Sequence, residues 1–273
     1  MKIETTTSSE PLVDRIRRRE QLLGLIVKVP NPALVEVAGH LGYDFVLLDT
    51  EHGADDTIEL EHHLRAADSA GIPVVVRVGV NEPLPILRAM DSGAVGVIAP
   101  HVDTAEQAAA AAAAAHYAPV GTRGLAASTR AGRHSTGTVT QHLDRARRET
   151  TVIVQIEDAK AVPHAAAIAA TAHVDAVWLG PGDLSMSLGH PGDLGHPDVA
   201  AAIESIVTAV NQAEDTALCV VVDSEDDIPQ WRRRGASIVV FVTTNVVTAR
   251  LRELLANARA EGREATKPAA DAK

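Results

Sequence analysis

Val-Ile-Val-Gln-Ile-Glu (152–157) and Val-Trp-Leu-Gly-Pro-Gly-Asp-Leu-Ser (177–185) decide how this chain is read. Each begins as an apolar run of strand length and reaches an acid, Glu157 in the first and Asp183 in the second. The second leads into a Gly/Pro turn. Short continuous runs of this kind fit parallel strands covered on both faces. If both belong to one parallel barrel, both carboxylates point into the same mouth. Two carboxylates converging there make a site for a hard divalent cation, which is commonly held by one or two carboxylates plus substrate and water oxygens.

Six further runs of the same type extend the pattern. The eight predicted strands lie at about 24–29, 45–49, 74–78, 96–100, 152–156, 176–180, 218–222 and 238–242. Helical spacing of apolar residues separates them, from Pro32 to His40 and from Thr57 to Ser69. Pro83 to Ser92 opens with proline, a good first-turn residue. Thr104 to His116 contains eight consecutive alanines (108–115), a high-propensity helix able to pack closely on a barrel. The 117–151 connection is the longest. It holds Gly-Thr-Arg-Gly (121–124), a polar stretch to Thr138 and a helix to about Glu149, and reads as a lid or subunit-contact loop at a strand's C-terminal side. Strict βα alternation eight times favours a single closed (β/α)₈ TIM barrel in the α/β class over an open doubly wound sheet. No Gly-x-Gly-x-x-Gly follows the first strand, so a dinucleotide site is unsupported.

The chain has 273 residues, an ordinary length for one such barrel, which typically takes about 250. The expected organisation is a loose arm over 1–10, a barrel domain over 11–257 and a disordered tail over 258–273. Hydrophobic residues make up 46% of the chain and aromatic ones only 2%, so Ala, Val, Leu and Ile fill the core. The net charge of −11 argues against nucleic acid as a partner, which needs a basic footprint. Cys219, in Ala-Leu-Cys-Val-Val-Val, is the only cysteine, so no intramolecular disulfide can form. No apolar stretch reaches the roughly 18 residues of a membrane span. The N-terminus lacks the apolar core of a secretory signal. A soluble cytoplasmic protein is the expectation.

Barrel active sites lie at the C-terminal ends of the strands. The polar residues predicted there are Asp49, Thr50, Glu51 and His52 after strand two, Arg77 at the end of strand three and His101 after strand four. Gln155 and Glu157 belong to strand five, Asp183 follows strand six, Asp223 strand seven, and Thr243 and Thr244 strand eight. Asp49 could fix the tautomer of the His52 imidazole and raise its basicity, or could instead cap the next turn and leave His52 exposed. Arg77 ends an apolar strand, where a guanidinium is costly unless it meets an anion. That anion is a substrate, or Asp49 or Glu51. His101 reads as an ordinary loop residue.

These segments resemble the HpcH/HpaI aldolase family, metal-dependent pyruvate aldolases on a (β/α)₈ barrel. The resemblance rests on Val-Lys-Val-Pro-Asn-Pro (27–32), Gly-Tyr-Asp-Phe-Val-Leu-Leu-Asp-Thr-Glu-His-Gly (42–53), Val-Val-Val-Arg-Val (74–78), Gly-Thr-Arg-Gly (121–124), Ser-Thr-Arg-Ala-Gly (128–132), Val-Gln-Ile-Glu (154–157) and Gly-Pro-Gly-Asp-Leu-Ser (180–185). It implies Glu157 and Asp183 as ligands of a divalent metal (Mg²⁺, Mn²⁺ or Co²⁺). It implies Gln155 as a pocket residue and Arg77 as the contact to the pyruvate keto oxygen and the aldol oxygen. Asp49 and His52 become the acid–base pair, Gly182 with the neighbouring backbone N–H groups becomes the cradle for the substrate carboxylate, and Pro181 and Asp183 line the substrate beside it. Asp91 matches a position that reaches a neighbouring subunit's site. The resemblance also implies a homo-hexamer built as a trimer of dimers, with the last helix packing on a partner. The implied reaction is reversible cleavage of a 4-hydroxy-2-oxo acid to pyruvate, or a close 2-oxo acid, and an aldehyde. The chain departs from the family pattern at Thr244, where many relatives carry Asp, and at Arg133-His134-Ser135.

Four other readings compete. A Schiff-base aldolase needs a lysine at a strand end, and of the five lysines only Lys28 qualifies. The related phosphoenolpyruvate mutase and isocitrate lyase group cleaves carbon–carbon bonds with a loop cysteine, whereas Cys219 sits in a predicted strand. A non-catalytic, metabolite-binding barrel would tolerate loss of His52 or Asp183, and both are present. Related enolate chemistry, by decarboxylation or addition to another acceptor, would use the same residues.

Overall fold

The computed structural model describes residues 10–53 and 56–265. Eight parallel strands close in sequence order: β1 (Leu22–Val27), β2 (Phe45–Asp49), β3 (Val74–Arg77), β4 (Gly96–Ala99), β5 (Thr151–Ile156), β6 (Ala176–Leu179), β7 (Ala217–Val222) and β8 (Ala236–Val242). β8 returns to β1 with Ile238 beside Leu22, which completes the ring. The predicted strands are all present, with ends displaced by up to two residues.

The helices are α1 (Leu12–Arg17), α2 (Pro32–Leu41), α3 (Thr57–Ala70), α4 (Pro83–Asp91), α5 (Ala105–Ala115), α6 (Val139–Glu149), α7 (Ala165–Ala169), α8 (Pro181–Ser187), α9 (Pro197–Gln212), α10 (Ile228–Arg233) and α11 (Thr243–Ala265). Local chemistry starts several of them. The side chains of Asn31, Asp56 and Thr104 accept the first free N–H groups of α2, α3 and α5, and Thr138 with Gln141 forms a capping box on α6. In α5 the alanines at 108, 111, 112, 114 and 115 are buried, so the polyalanine run is a helix packed on the barrel. The boundary expected at 257/258 falls inside α11, which continues to Ala265. The arm over 1–9 and the tail over 266–273 lie outside the described residues.

Strand side chains alternate between two cores. Leu25, Val46, Leu48, Val74, Val76 and Val97 face the helices. Leu22, Ile26, Phe45, Leu47, Val75, Ile98, Ile153 and Trp178 fill the barrel interior. α1 closes the end of the barrel where the strands begin, with Leu12 and Ile16 joining the interior core. Arginines of this helix and of the turn after it pair with groups just ahead of the strands: Arg15 with Asp44 at 2.5 Å, Arg17 with Asp175 at 2.9 Å, and Arg19 with the carbonyl of Thr216.

The long insertion after α5 lies at that same closed end, which corrects its expected place as a lid at the C-terminal side of a strand. It follows the C-terminal end of a helix that runs antiparallel to the strands. Arg123 pairs with Asp91 at the end of α4 (2.7 Å), and Arg130 reaches Asp68, the carbonyl of Leu64 and the carbonyl of Ser92. All of these groups lie on the C-terminal half of α3 or at the end of α4, remote from the strand C-termini.

Gly24 shows how closely the interior is filled. A Cβ there would stand 2.4 Å from the Phe45 ring and 2.7 Å from Val240. Gly24→Ala is expected to destabilise the fold by about 1–3 kcal/mol through overpacking. Urea denaturation at neutral pH measures it, and an unchanged midpoint would mean that the interior has room the structure does not show.

Candidate active site

The inward series of each strand turns polar at its C-terminal end. Phe45 and Leu47 are followed at the same parity by Asp49 and Glu51, Val75 by Arg77, and Ile153 by Gln155 and Glu157. The residues that fill the interior and those that line the mouth are therefore one alternating set.

Arg77 is the hub. Its Nε and Nη2 donate to the two oxygens of Asp49 at 2.9 and 2.5 Å. Its Nη1 lies 2.9 Å from Glu51 Oε2 and 3.3 Å from Gln155 Oε1. The guanidinium carbon stands 4.9 Å from the centre of the Trp178 ring. Asp49 and Arg77 are both buried. Asp49 Oδ1 also accepts the N–H groups of Glu51 and His52, and Lys28 Nζ is 3.5 Å from Oδ2. Burial works against the Asp49 carboxylate, but the hydrogen bonds and charge of Arg77, with the His52 N–H and Lys28, hold it below the usual carboxylate range.

A second group adjoins the hub. The imidazole of His101 bridges two acids, with Nδ1 3.0 Å from Glu157 Oε1 and Nε2 3.1 Å from Glu51 Oε1. The His101 backbone N–H also donates to Glu157 Oε1 at 2.9 Å. Gln155 Nε2 donates to the other oxygen of Glu157, so the hub and the acid cluster form one network. Burial pushes the Glu157 carboxyl up to about 7; the charges of Glu51 and Asp183 push the same way, and the His101 N–H and ring oppose them. Gly180 makes room for this side chain, since a Cβ there would stand 2.6 Å from Glu157 Cβ.

Glu51, His101 and Glu157 each offer a ligand atom, all within 4.8 Å of one another. Glu51 Oε2 is buried without a hydrogen-bond donor, although it lies at ion-pair distance from Arg77. Oxygen-rich donors, a surplus of buried carboxylates and an oxygen without a donor together fit a divalent cation.

Two placements bear on the alternatives that the sequence leaves open. Asp49 pairs with Arg77 and caps the turn after β2 rather than holding the His52 ring. The His52 side chain is 56% exposed, with Nε2 3.9 Å from Glu51 Oε2. Its exposure leaves it free at the mouth. Asp183, expected as a partner of Glu157, is exposed in the first turn of α8 and acts on Glu157 through charge. Pro181 and Gly182 precede it, with Pro181 at the first helical position. Asp91 is at the closed end with Arg123, out of reach of this mouth.

Glu51 and His101 are more central than the sequence alone suggests. The parity of 45, 47, 49 and 51 carried the signal for Glu51. His101 was marked only by its place after strand four; its bridging role depends on a left-handed backbone φ of 52°, which spacing does not disclose.

The family model described as HpcH/HpaI aldolase/citrate lyase matches residues 22–248. The chain belongs to this family. A 2-dehydro-3,6-dideoxy-6-sulfogluconate aldolase of Pseudomonas putida is 40% identical over 192 residues, which are 70% of this chain and 74% of the relative. A 5-keto-4-deoxy-D-glucarate aldolase of Klebsiella pneumoniae subsp. pneumoniae is 37% identical over 218 residues, 80% of this chain and 84% of the relative. The crystal structure of an HpcH/HpaI aldolase/citrate lyase family protein from Burkholderia cenocepacia J2315 aligns over 91% of this chain and 98% of its own, with TM-score 0.85 and 33% identity. Family membership and these relatives make this HpcH/HpaI protein a lyase of the aldolase type.

The Arg77–Asp49 pair has a measurable signature. Asp49→Asn leaves a buried guanidinium without its main counter-charge and is expected to cost about 3–5 kcal/mol at pH 7. Because the folded state lowers the Asp49 pKa, its contribution is present above the ordinary carboxylate range and lost as pH falls through the folded value. Denaturant unfolding of wild type and Asp49→Asn from pH 7 down to pH 3 should show the gap closing with acid. A gap that is constant with pH would contradict the pairing.

Proposed function

We propose that this chain is a divalent-metal-dependent aldolase that reversibly cleaves a 4-hydroxy-2-oxo acid to pyruvate, or a close 2-oxo acid, and an aldehyde. The observation that carries the reading is the group of Glu51, His101 and Glu157 beside Arg77 at the mouth of the barrel. Glu157 and Asp183 are the proposed metal ligands, with Glu51 and His101 within reach of the same position. Mg²⁺, Mn²⁺ and Co²⁺ all suit such donors. When bound, a cation of this kind supplies Lewis-acid stabilisation of negative charge on the 2-oxo acid oxygens.

The chain's own residues do the rest. In the cleavage direction the C4 hydroxyl loses its proton, the C3–C4 bond breaks, and the electron pair passes to the pyruvate half, which takes a proton at C3. Arg77, locked by Asp49, presents a fixed positive charge toward the keto and aldol oxygens at no reorganisation cost. His52 Nε2, exposed at the mouth, is the proposed holder of the C4 hydroxyl proton. Asp49 orients Arg77 and the His52 backbone. Gln155 positions Arg77 and Glu157. The N–H groups of Gly182 and Asp183 in the first turn of α8 are the proposed seat of the substrate carboxylate.

We further propose a homo-oligomer, the hexamer that the family resemblance implies. Val247, Leu251, Leu254 and Leu255 expose an apolar stripe along α11, of the kind that packs on another chain. Asp91, held by Arg123, is proposed to serve the mouth of a neighbouring copy. Light scattering tests the assembly: Leu251→Glu with Leu255→Glu is expected to lower the mass, and a monomeric wild type would refute it.

Activity is tested by pyruvate release from a panel of 4-hydroxy-2-oxo acids, before and after chelation by EDTA and with Mg²⁺, Mn²⁺ or Co²⁺ restored. Release should vanish with EDTA and return with metal. Glu157→Gln should lower kcat by at least about a hundredfold, and Arg77→Lys, which keeps charge but loses the fork, by about 10²–10³. Release that survives chelation, with borohydride trapping at Lys28, would replace this reading with a Schiff base.

A further inference from the structure

Three side chains at the α8–α9 connection and the start of α9 converge away from the mouth cluster. The rings of His190 and His196 stack with centroids 3.3 Å apart and planes 16° from parallel. His190 Nε2 stands 3.5 Å from Asp198 Oδ2, and His196 Nδ1 stands 3.8 Å from the same oxygen. One ligand atom from each residue lies within 4.8 Å of the others. In a tetrahedral zinc site with bonds of about 2.0–2.1 Å, neighbouring ligand atoms are about 3.4 Å apart. The separations to Asp198 approach that value, whereas the stacked rings aim their in-plane lone pairs side by side and must splay apart to share one ion.

We propose that His190, His196 and Asp198 form a rim site for a borderline transition metal of the Zn²⁺ type, with water completing four-coordination. Two imidazoles and one carboxylate suit Zn²⁺, Co²⁺ or Ni²⁺, whereas Mg²⁺ prefers oxygen ligands. The rim site therefore differs in chemistry from the mouth. A competing task exists for His196, whose Nδ1 accepts the Asp198 N–H at 3.3 Å as the cap of α9. The positive end of α9 also works against a cation, and the metal–ligand bonds must outweigh it. His190 does not cap this helix.

The rim is tied to the element that carries Asp183. The His190 N–H donates to the carbonyl of Ser185, the Gly192 N–H to Ser185 Oγ, and Ser185 Oγ to the carbonyl of Gly182. An ion at the rim fastens the connection onto α8 and stabilises the folded state by mass action.

Zn²⁺ titration of the full chain by calorimetry, paired with thermal unfolding, tests this without using catalysis. The variants are His190→Ala and His196→Asn, the second keeping a side-chain acceptor at the helix cap. Millimolar Mg²⁺ is present throughout, and the mouth is unaltered in all three proteins. Wild type should bind one more Zn²⁺ per chain than either variant and gain more in melting temperature on adding it, while the metal-free melting temperatures stay close. A wild-type stoichiometry and thermal shift no greater than those of both variants would overturn the proposal.

Discussion

A guanidinium buried at the end of β3 has to be neutralised, and the mouth of the barrel is arranged around that requirement. Asp49 meets Arg77 with two parallel hydrogen bonds, and the same carboxylate caps the turn that carries Glu51 and His52. One pairing thus fixes the charge, the loop after β2 and the placement of Glu51. Gln155 extends the network to Glu157 on β5. The burial that makes the pair costly to break also keeps Arg77 pointing one way, which is what a fixed electrostatic group needs.

Around Arg77 the balance of charge tips negative. Glu51, Glu157 and Asp183 outnumber the nearby guanidinium that is already committed to Asp49, and His101 bridges two of them. Such an arrangement is unfavourable for folding by itself, because burial disfavours Glu157 in its charged form. A site that stores electrostatic cost where an ion and a charged substrate would repay it fits the pattern of functional sites. The other end of the barrel is stabilised differently. There the arginines of α1 and of the long insertion tie helices and strand starts together, with each acid that the described contacts include paired to an arginine.

Much of the fold was legible because parallel strands buried on both faces leave a plain signature. The apolar runs at 45–48, 74–76 and 152–154 are continuous, and the segments between them carry helical spacing and caps. The strand ends were less legible, since Lys28 and Val78 could extend a strand as readily as leave one. Within the site, Arg77 and Glu157 stood out as charges closing apolar runs. The pairing of Asp49 was not decidable from spacing, because the rival partners His52 and Arg77 lie at equally reachable positions and only the closed register places Asp49 beside Arg77. The bridging role of His101 depends on a left-handed backbone turn at a residue that is not glycine, and the insertion after α5 lies at the closed end because it links the end of a helix to the start of a strand, a constraint its polar composition does not reveal.

Anomalous diffraction from crystals soaked with Mn²⁺ and pyruvate tests the central claim, that the acid cluster beside Arg77 is a cation site serving catalysis. An anomalous peak is expected at the mouth within about 2.0–2.3 Å of a Glu157 carboxylate oxygen, with pyruvate between the ion and Arg77. A fully ordered mouth without manganese, or pyruvate bound there with the ion elsewhere, would contradict it.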